Sequence, residues 1–194
     1  MNATQPTRGC AFPTSTGTAR VTSLLARLDS HDRAAFQVLR LDHDAAWNAR
    51  ALWTILTHAG GATCTILLVL LPMLLAGGAW HTAAVDGAWI LAISHGVVQL
   101  AKRSATRPRP CVREGAPAHV ASPDAFSFPS GHACAAMSVG LAYAAVFPGW
   151  AALAVSLAVI VGLSRVRLGV HYPGDVLAGQ AIAVLTALGV WAWR

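Results

Sequence analysis

Three short stretches hold residues whose types suit the handling of a tetrahedral anion. They are "KRSATRPRP" from Lys102, "FPSGHACAAM" from Phe128 and "SRVRLGVHYPGD" from Ser164. Ser130 follows Pro129 and precedes a helix-forming run, which makes it the expected N-cap. Free backbone N–H groups and the positive end of the helix dipole favour an anion there. Gly131 lets the backbone approach an oxygen with no Cβ in the way. Lys102, Arg109 and Arg165 supply fixed positive charge, the arginines as planar forks. His171 and Asp175 are four apart. Pro173 suits the first turn of a helix and holds Tyr172 out of helical geometry. His171 is thus expected just before a helix, with Asp175 in its first turn. A carboxylate so placed can accept a hydrogen bond from one imidazole nitrogen and leave the other to attack phosphorus. His132, on a different helix, is suited to protonate a leaving oxygen.

The elements that must carry these residues are hydrophobic. Of 194 residues, 55% are hydrophobic and only 11% charged, against about 25% charged in ordinary soluble domains. The apolar residues are bunched in long runs, so the expected fold class is all-α, a polytopic membrane helix bundle. Five spans are expected, near 57–78, 84–102, 131–148, 149–167 and 174–193. Barrel-type alternation is absent. Residues 1–22, rich in Thr, Ser, Pro and Gly, read as a disordered tail, and 23–194 as one membrane-embedded domain. Within it, residues 23–57 are too charged to cross a bilayer and read as amphipathic interfacial helices, with Trp47 and Trp53 at headgroup depth. The prolines of the long loop 103–130 rule out a continuous helix. Successive spans reverse direction. The end of the second, the start of the third, the end of the fourth and the start of the fifth therefore share one side of the membrane, which brings all three stretches together.

Taken in order, K-x6-R-P (Lys102 to Pro110), P-S-G-H (Pro129 to His132) and S-R-x5-H-x3-D (Ser164 to Asp175) closely resemble the type 2 phosphatidic acid phosphatase family. The vanadium haloperoxidases share these motifs. The resemblance is tight over 102–175 and one of pattern elsewhere. It implies in-line attack by His171 to form a phosphohistidine, orientation and charge stabilisation by Asp175, and general acid then base catalysis by His132. It implies that Lys102, Arg109, Ser130, Gly131 and Arg165 hold the equatorial oxygens. No metal and no cofactor are expected, with fixed positive groups taking the part that magnesium plays in other phosphoryl transfers. The expected partners are a lipid phosphate and the membrane, with vanadate or phosphate as a site ligand, and no nucleic acid. The candidate substrates are phosphatidate, phosphatidylglycerophosphate and polyprenyl pyrophosphate. A rival enzyme is a vanadate-dependent haloperoxidase, whose relatives are soluble, unlike these long charge-free spans. A rival of another class is a non-catalytic lipid-binding or lipid-transfer protein on the same scaffold, yet every motif residue is present here.

The chain departs from the family's common six spans, because the segment that should form the first is charged. Arg167 adds a charge inside the third motif, where it is suited to adjust head-group choice. Lys102 is the only lysine beside thirteen arginines, at the motif position. Arg103, Arg107 and Arg113 read as interfacial anchors. His95, with Gln99 four residues on, reads as a structural hydrogen-bonding pair facing the bundle interior. His31, His43, His58, His81 and His119 show no ligand spacing. The four cysteines lack metal or CxxC spacing and read as small apolar filler. All basic residues except Arg194 fall on the motif side. The positive-inside rule makes that side cytoplasmic, whereas the resemblance implies an outward face in a bacterial inner membrane.

Overall fold

The computed structural model describes residues 16–122 and 124–194, with side chains from residue 26 onward. Most of the expected N-terminal tail therefore lies outside the described residues, and the first helix begins at Thr16. The helices are α1 (Thr16–Leu39), α2 (Trp47–Ala59), α3 (Ala62–Leu75), α4 (Gly78–Ser104), α5 (Pro110–Arg113), α6 (Gly131–Val146), α7 (Ala151–Arg167) and α8 (Pro173–Trp193). Among the described residues there is no β-strand, only an isolated antiparallel bridge between Pro108 and Phe126. The fold is all-helical, as composition and apolar runs require.

Three helical segments are long and apolar enough to cross a membrane alone: Gly78–Ser104, Pro148–Arg167 and Pro173–Trp193. The expected first span is broken. Gly60 and Gly61 interrupt it, and α2 and α3 meet there with a bend of 43°, so that only as a bent pair are they long and apolar enough for a fourth crossing. The glycines weaken helix continuity at that point. The expected third span is α6, with 16 residues. At 1.5 Å per residue it reaches about 24 Å, short of the ~30 Å hydrocarbon core. It packs between α4, α7 and α8, and eight of its residues are buried, most of them small.

This pattern is that of a bundle in lipid. The interior is small and weakly polar: Cys134, Ala136, Ala158 and Ala183 pack with Val98, Met137 and Val161. Ser94 and Ser138 share a buried hydrogen bond of 2.9 Å between α4 and α6, worth about 0.6 kcal/mol in a membrane interior. Leu67, Leu71, Leu74, Leu153, Leu185 and Leu188 face outward. Hydrophobicity alone does not draw helices together in lipid, so close backbone approach must. Gly179 provides it where it matters most: a Cβ there would sit 2.4 Å from the Ser130 carbonyl oxygen. The start of α6 and the first turns of α8 can therefore meet, and the Ser130 amide donates to the Asp175 carbonyl at 2.9 Å.

The amphipathic helix α1 lies against the motif side of this bundle. Phe36 is fully buried and meets the Tyr172 ring edge-on at 5.4 Å. Its charged face pairs with the long loop, where Arg33 reaches Glu114 at 2.6 Å.

Candidate active site

The three motifs converge on one cavity of about 610 Å³, lined among others by Lys102, Arg109, Gly131, His132, Arg165 and His171. Each arrives from a different element. Lys102 ends the regular part of α4, Arg109 caps α5, Gly131 and His132 open α6, Arg165 lies in the last turn of α7, and His171 precedes α8. The side-sharing deduced from alternating spans thus yields a common cavity.

His171 is the best-defined group. Its ring is 2% exposed. Arg109 Nη1 stands 3.2 Å from Nε2 and also donates to the Val170 carbonyl at 2.7 Å. A guanidinium only donates, so Nε2 must be the acceptor and the ring proton belongs on Nδ1. That nitrogen faces Asp175 Oδ2 at 3.6 Å. Nε2 therefore carries the lone pair, which Arg109 engages in this structure, and the Nδ1–H faces the carboxylate.

Asp175 is fully buried and held on both oxygens. Oδ2 accepts from the Tyr172 amide at 2.8 Å, and Oδ1 accepts from Arg107 Nη1 at 2.7 Å. Arg107 is the residue that the sequence misplaced. It is no interfacial anchor: Nη1 also reaches Asp32 at 2.7 Å, Nη2 reaches Asp29 at 3.0 Å, and the guanidinium lies 4.0 Å over the Tyr172 ring. Asp32 in turn accepts from the Gly174 amide at 2.7 Å. One signal was available. Arg107 and Arg109 are two apart in a proline-bound, extended segment, and that spacing puts two side chains on one face. Arg113 is likewise paired, with Asp29 at 2.9 Å.

The other motif residues take distinct places. Ser130 is the N-cap of α6 by position, but its hydroxyl makes no capping bond. It is buried and has no partner among the described residues. Arg165 donates to Thr57 Oγ at 2.8 Å and is 2% exposed. Gly131 has open space on the protein side: a Cβ would meet only ordinary contacts, the nearest being His95 Cε1 at 3.9 Å. His95 and Gln99 are 3.0 Å apart and both line the cavity. Arg167 does not. Its guanidinium bonds the Leu39 carbonyl at 3.0 Å and lies over Trp53 at 5.3 Å, so it fastens the N-terminal helices rather than facing a ligand. Cys64, Cys111 and Cys134 are free thiols.

Burial lowers the His171 imidazole to about 4, with Arg165 and Arg109 adding to the fall and Asp175 opposing it. The ring is thus neutral in the folded chain across the range in which an ordinary histidine titrates near 6.5. Between pH 6.5 and 4 the unfolded chain takes up a proton that the folded chain refuses, so folding stability falls as the pH drops through that window. The expected result is that the melting temperature of wild type minus that of His171→Asn declines steadily from pH 6.5 to 4. A difference that stays level would contradict a buried neutral imidazole.

The comparisons with known proteins agree with this geometry. The PAP2 superfamily profile matches residues 83–194, a stretch that contains all eight predicted site residues. A lipid A 1-phosphatase of Rhizobium etli is 39% identical over 66 residues, covering 32% of this chain and 28% of that protein. A decaprenylphosphoryl-5-phosphoribose phosphatase of Mycobacterium tuberculosis is 36% identical over 103 residues, covering 48% of this chain and 54% of that one. The matched region thus spans at most about half the length of these curated relatives. Among solved structures, a transmembrane PAP2-type phosphatidylglycerolphosphate phosphatase of Bacillus subtilis superposes with a TM-score of 0.68 at 25% identity, covering 86% of each chain. With the motifs gathered on one cavity, the apolar bundle around them and a profile match over more than half its length, this multi-pass membrane chain belongs to the PAP2 superfamily.

Proposed function

We propose that the chain is a lipid phosphatase that cleaves a phosphomonoester or pyrophosphate through a phosphohistidine on His171. The observation that carries this reading is the setting of His171. Arg109 at 3.2 Å from Nε2 leaves that nitrogen unprotonated, and the residue lines a cavity with His132, Lys102 and Arg165.

In the first step a phosphoryl oxygen takes over the Arg109 N–H, and His171 Nε2 bonds to phosphorus as the bond from phosphorus to the leaving oxygen breaks. His132 gives its proton to that oxygen, so an alcohol leaves from a monoester and a lipid monophosphate from a pyrophosphate. The imidazole gains positive charge as it bonds, and its Nδ1–H then draws toward Asp175 from the 3.6 Å seen here; such bonds commonly tighten only as charge develops. In the second step His132 takes a proton from water. The hydroxyl oxygen bonds to phosphorus, His171 departs neutral, and inorganic phosphate is released. Lys102, Arg109, Arg165, the Ser130 hydroxyl and the amides at Gly131 hold the three equatorial oxygens. Each such donor is worth roughly 3–4 kcal/mol of barrier. The unpartnered Ser130 hydroxyl and the open space at Gly131 fit that duty.

A lipid suits the cavity better than a soluble ester. Below the cations it runs down α4 past Gln99, His95, Ala92 and Leu91, and Ile66 of α3 forms an apolar wall. The phosphate end meets charge and the tail end meets hydrocarbon.

The test is phosphate release by purified protein from phosphatidate, phosphatidylglycerophosphate and a polyprenyl pyrophosphate, in EDTA, with and without vanadate. Turnover that EDTA leaves intact and vanadate inhibits is the expected result. No turnover of any of the three, or turnover only on adding magnesium, would overturn the reading.

A further inference from the structure

One carboxylate stands among the cations. Asp124 lies in the loop that leads to α6 and lines the cavity. Its Oδ1 accepts from Lys102 Nζ at 3.2 Å and from Arg109 Nη2 at 2.7 Å. The surrounding backbone fixes this position. Arg109 Nε donates to the Asp124 carbonyl at 3.0 Å, and Lys102 Nζ donates to the Phe126 carbonyl at 3.1 Å. The Ser127 amide donates to the Arg107 carbonyl at 2.9 Å, which zips the loop to the first motif. Lys102 and Arg109 are 6% and 3% exposed, whereas the Asp124 side chain keeps 36%. The carboxylate is therefore the partner of these cations on the open side. Burial works against its charge, but Lys102 and Arg109 outweigh burial and hold the carboxyl below its ordinary range.

A carboxylate oxygen that bridges two cations has the charge and the acceptor geometry of a phosphoryl oxygen. The two cannot share the place. We propose that Asp124 is a built-in competitor for the phosphate site, displaced from Lys102 and Arg109 by the substrate's phosphoryl group, and that by retaking its place it helps to expel the phosphate product.

Displacement costs every phosphate the same amount. A lipid phosphate offsets it with burial of its tail along α3 and α4, roughly 0.8 kcal/mol per methylene group, whereas inorganic phosphate has polar contacts alone. After hydrolysis the tail is gone, and the returning carboxylate repels the product and shortens its stay.

This rests on the reading of Lys102 and Arg109 as phosphate ligands, and two measurements separate the failures. The first needs no turnover: the rise in melting temperature that inorganic phosphate gives, which reports affinity for the folded state. Asp124→Asn keeps the shape and removes the charge. It is expected to bind phosphate about tenfold more tightly, the equivalent of 1.4 kcal/mol. Asp124→Glu restores a carboxylate and is expected to return to within about twofold of wild type. The second measurement is kinetic. In Asp124→Asn the inhibition constant for phosphate falls by the same factor. Phosphate affinity in Asp124→Asn that is unchanged or weaker would overturn the proposal, as would an unaltered inhibition constant. Wild type that binds phosphate yet turns over no lipid phosphate would instead count against the function proposed above.

Discussion

His171→Ala is expected to release phosphate from a lipid phosphate no faster than buffer, a fall of at least about 10⁴-fold. The size follows from what the ring does. Arg109 at 3.2 Å from Nε2 and Asp175 at 3.6 Å from Nδ1 define which nitrogen is unprotonated and able to react. Alanine leaves the cations in place, so affinity for substrate and vanadate is expected to change little while kcat vanishes. Lys102 and Arg165 stay charged and keep their own partners, Asp124 and Thr57. A covalent trap gives the sharper readout. Wild type quenched during turnover of a labelled substrate is expected to hold label that survives base and is lost in acid, as a phosphorus–nitrogen bond is; His171→Ala holds none. Equal rates for the two proteins, or equal labelling, would remove the phosphohistidine.

How much of this was legible in the chain depended on the range of the interactions. Motif residues declare themselves by type and spacing. Their meeting follows from counting helix reversals, which bring His171, His132, Lys102, Arg109 and Arg165 to one side, and they line one cavity. The break at Gly60–Gly61 was visible as a pair of glycines, but nothing local says whether such a pair bends a span by 43° or is carried within it. That α6, at 16 residues, packs between α4, α7 and α8 is likewise a fact of tertiary contact. The interactions that escaped are long-range ion pairs inside irregular loops. Arginines just past the end of a span usually sit at the interface, and that rule misplaced Arg107, whose partner Asp175 comes 68 residues later. Asp124 drew no notice because a lone acid in a loop is ordinarily solvated, and only the fold places it on Lys102 and Arg109. Arg167 was read toward the ligand for the opposite reason: its motif pointed there, while its side chain turns outward to Leu39 and Trp53.

Arg107→Gln is expected to lower kcat about 100-fold while leaving KM within a few-fold, although Arg107 is not among the residues lining the cavity. It acts through Asp175, as a positioning residue. That carboxylate is fully buried, and Arg107 is its only cationic hydrogen-bond donor among the described residues. With glutamine the charge beneath His171 is left uncompensated and its orientation toward Nδ1 is no longer set. Breaking a buried pair in this way costs about 3 kcal/mol, at the low end of such effects, since Arg107 keeps 18% of its side chain in solvent. Arg107→Lys is expected to recover only part of the loss. A point charge can meet Asp175, but it lacks the fork that also reaches Asp29 and Asp32 and the plane that lies on Tyr172. The double variant Arg107→Gln/Asp175→Asn separates stability from catalysis. Asparagine needs no cation, so the melting temperature is expected to rise back toward wild type, whereas turnover stays low because the imidazolium formed at His171 has no anion behind it. Arg107→Gln with wild-type kcat, or a double variant that regains activity together with stability, would show that the Arg107–Asp175 contact serves the fold alone.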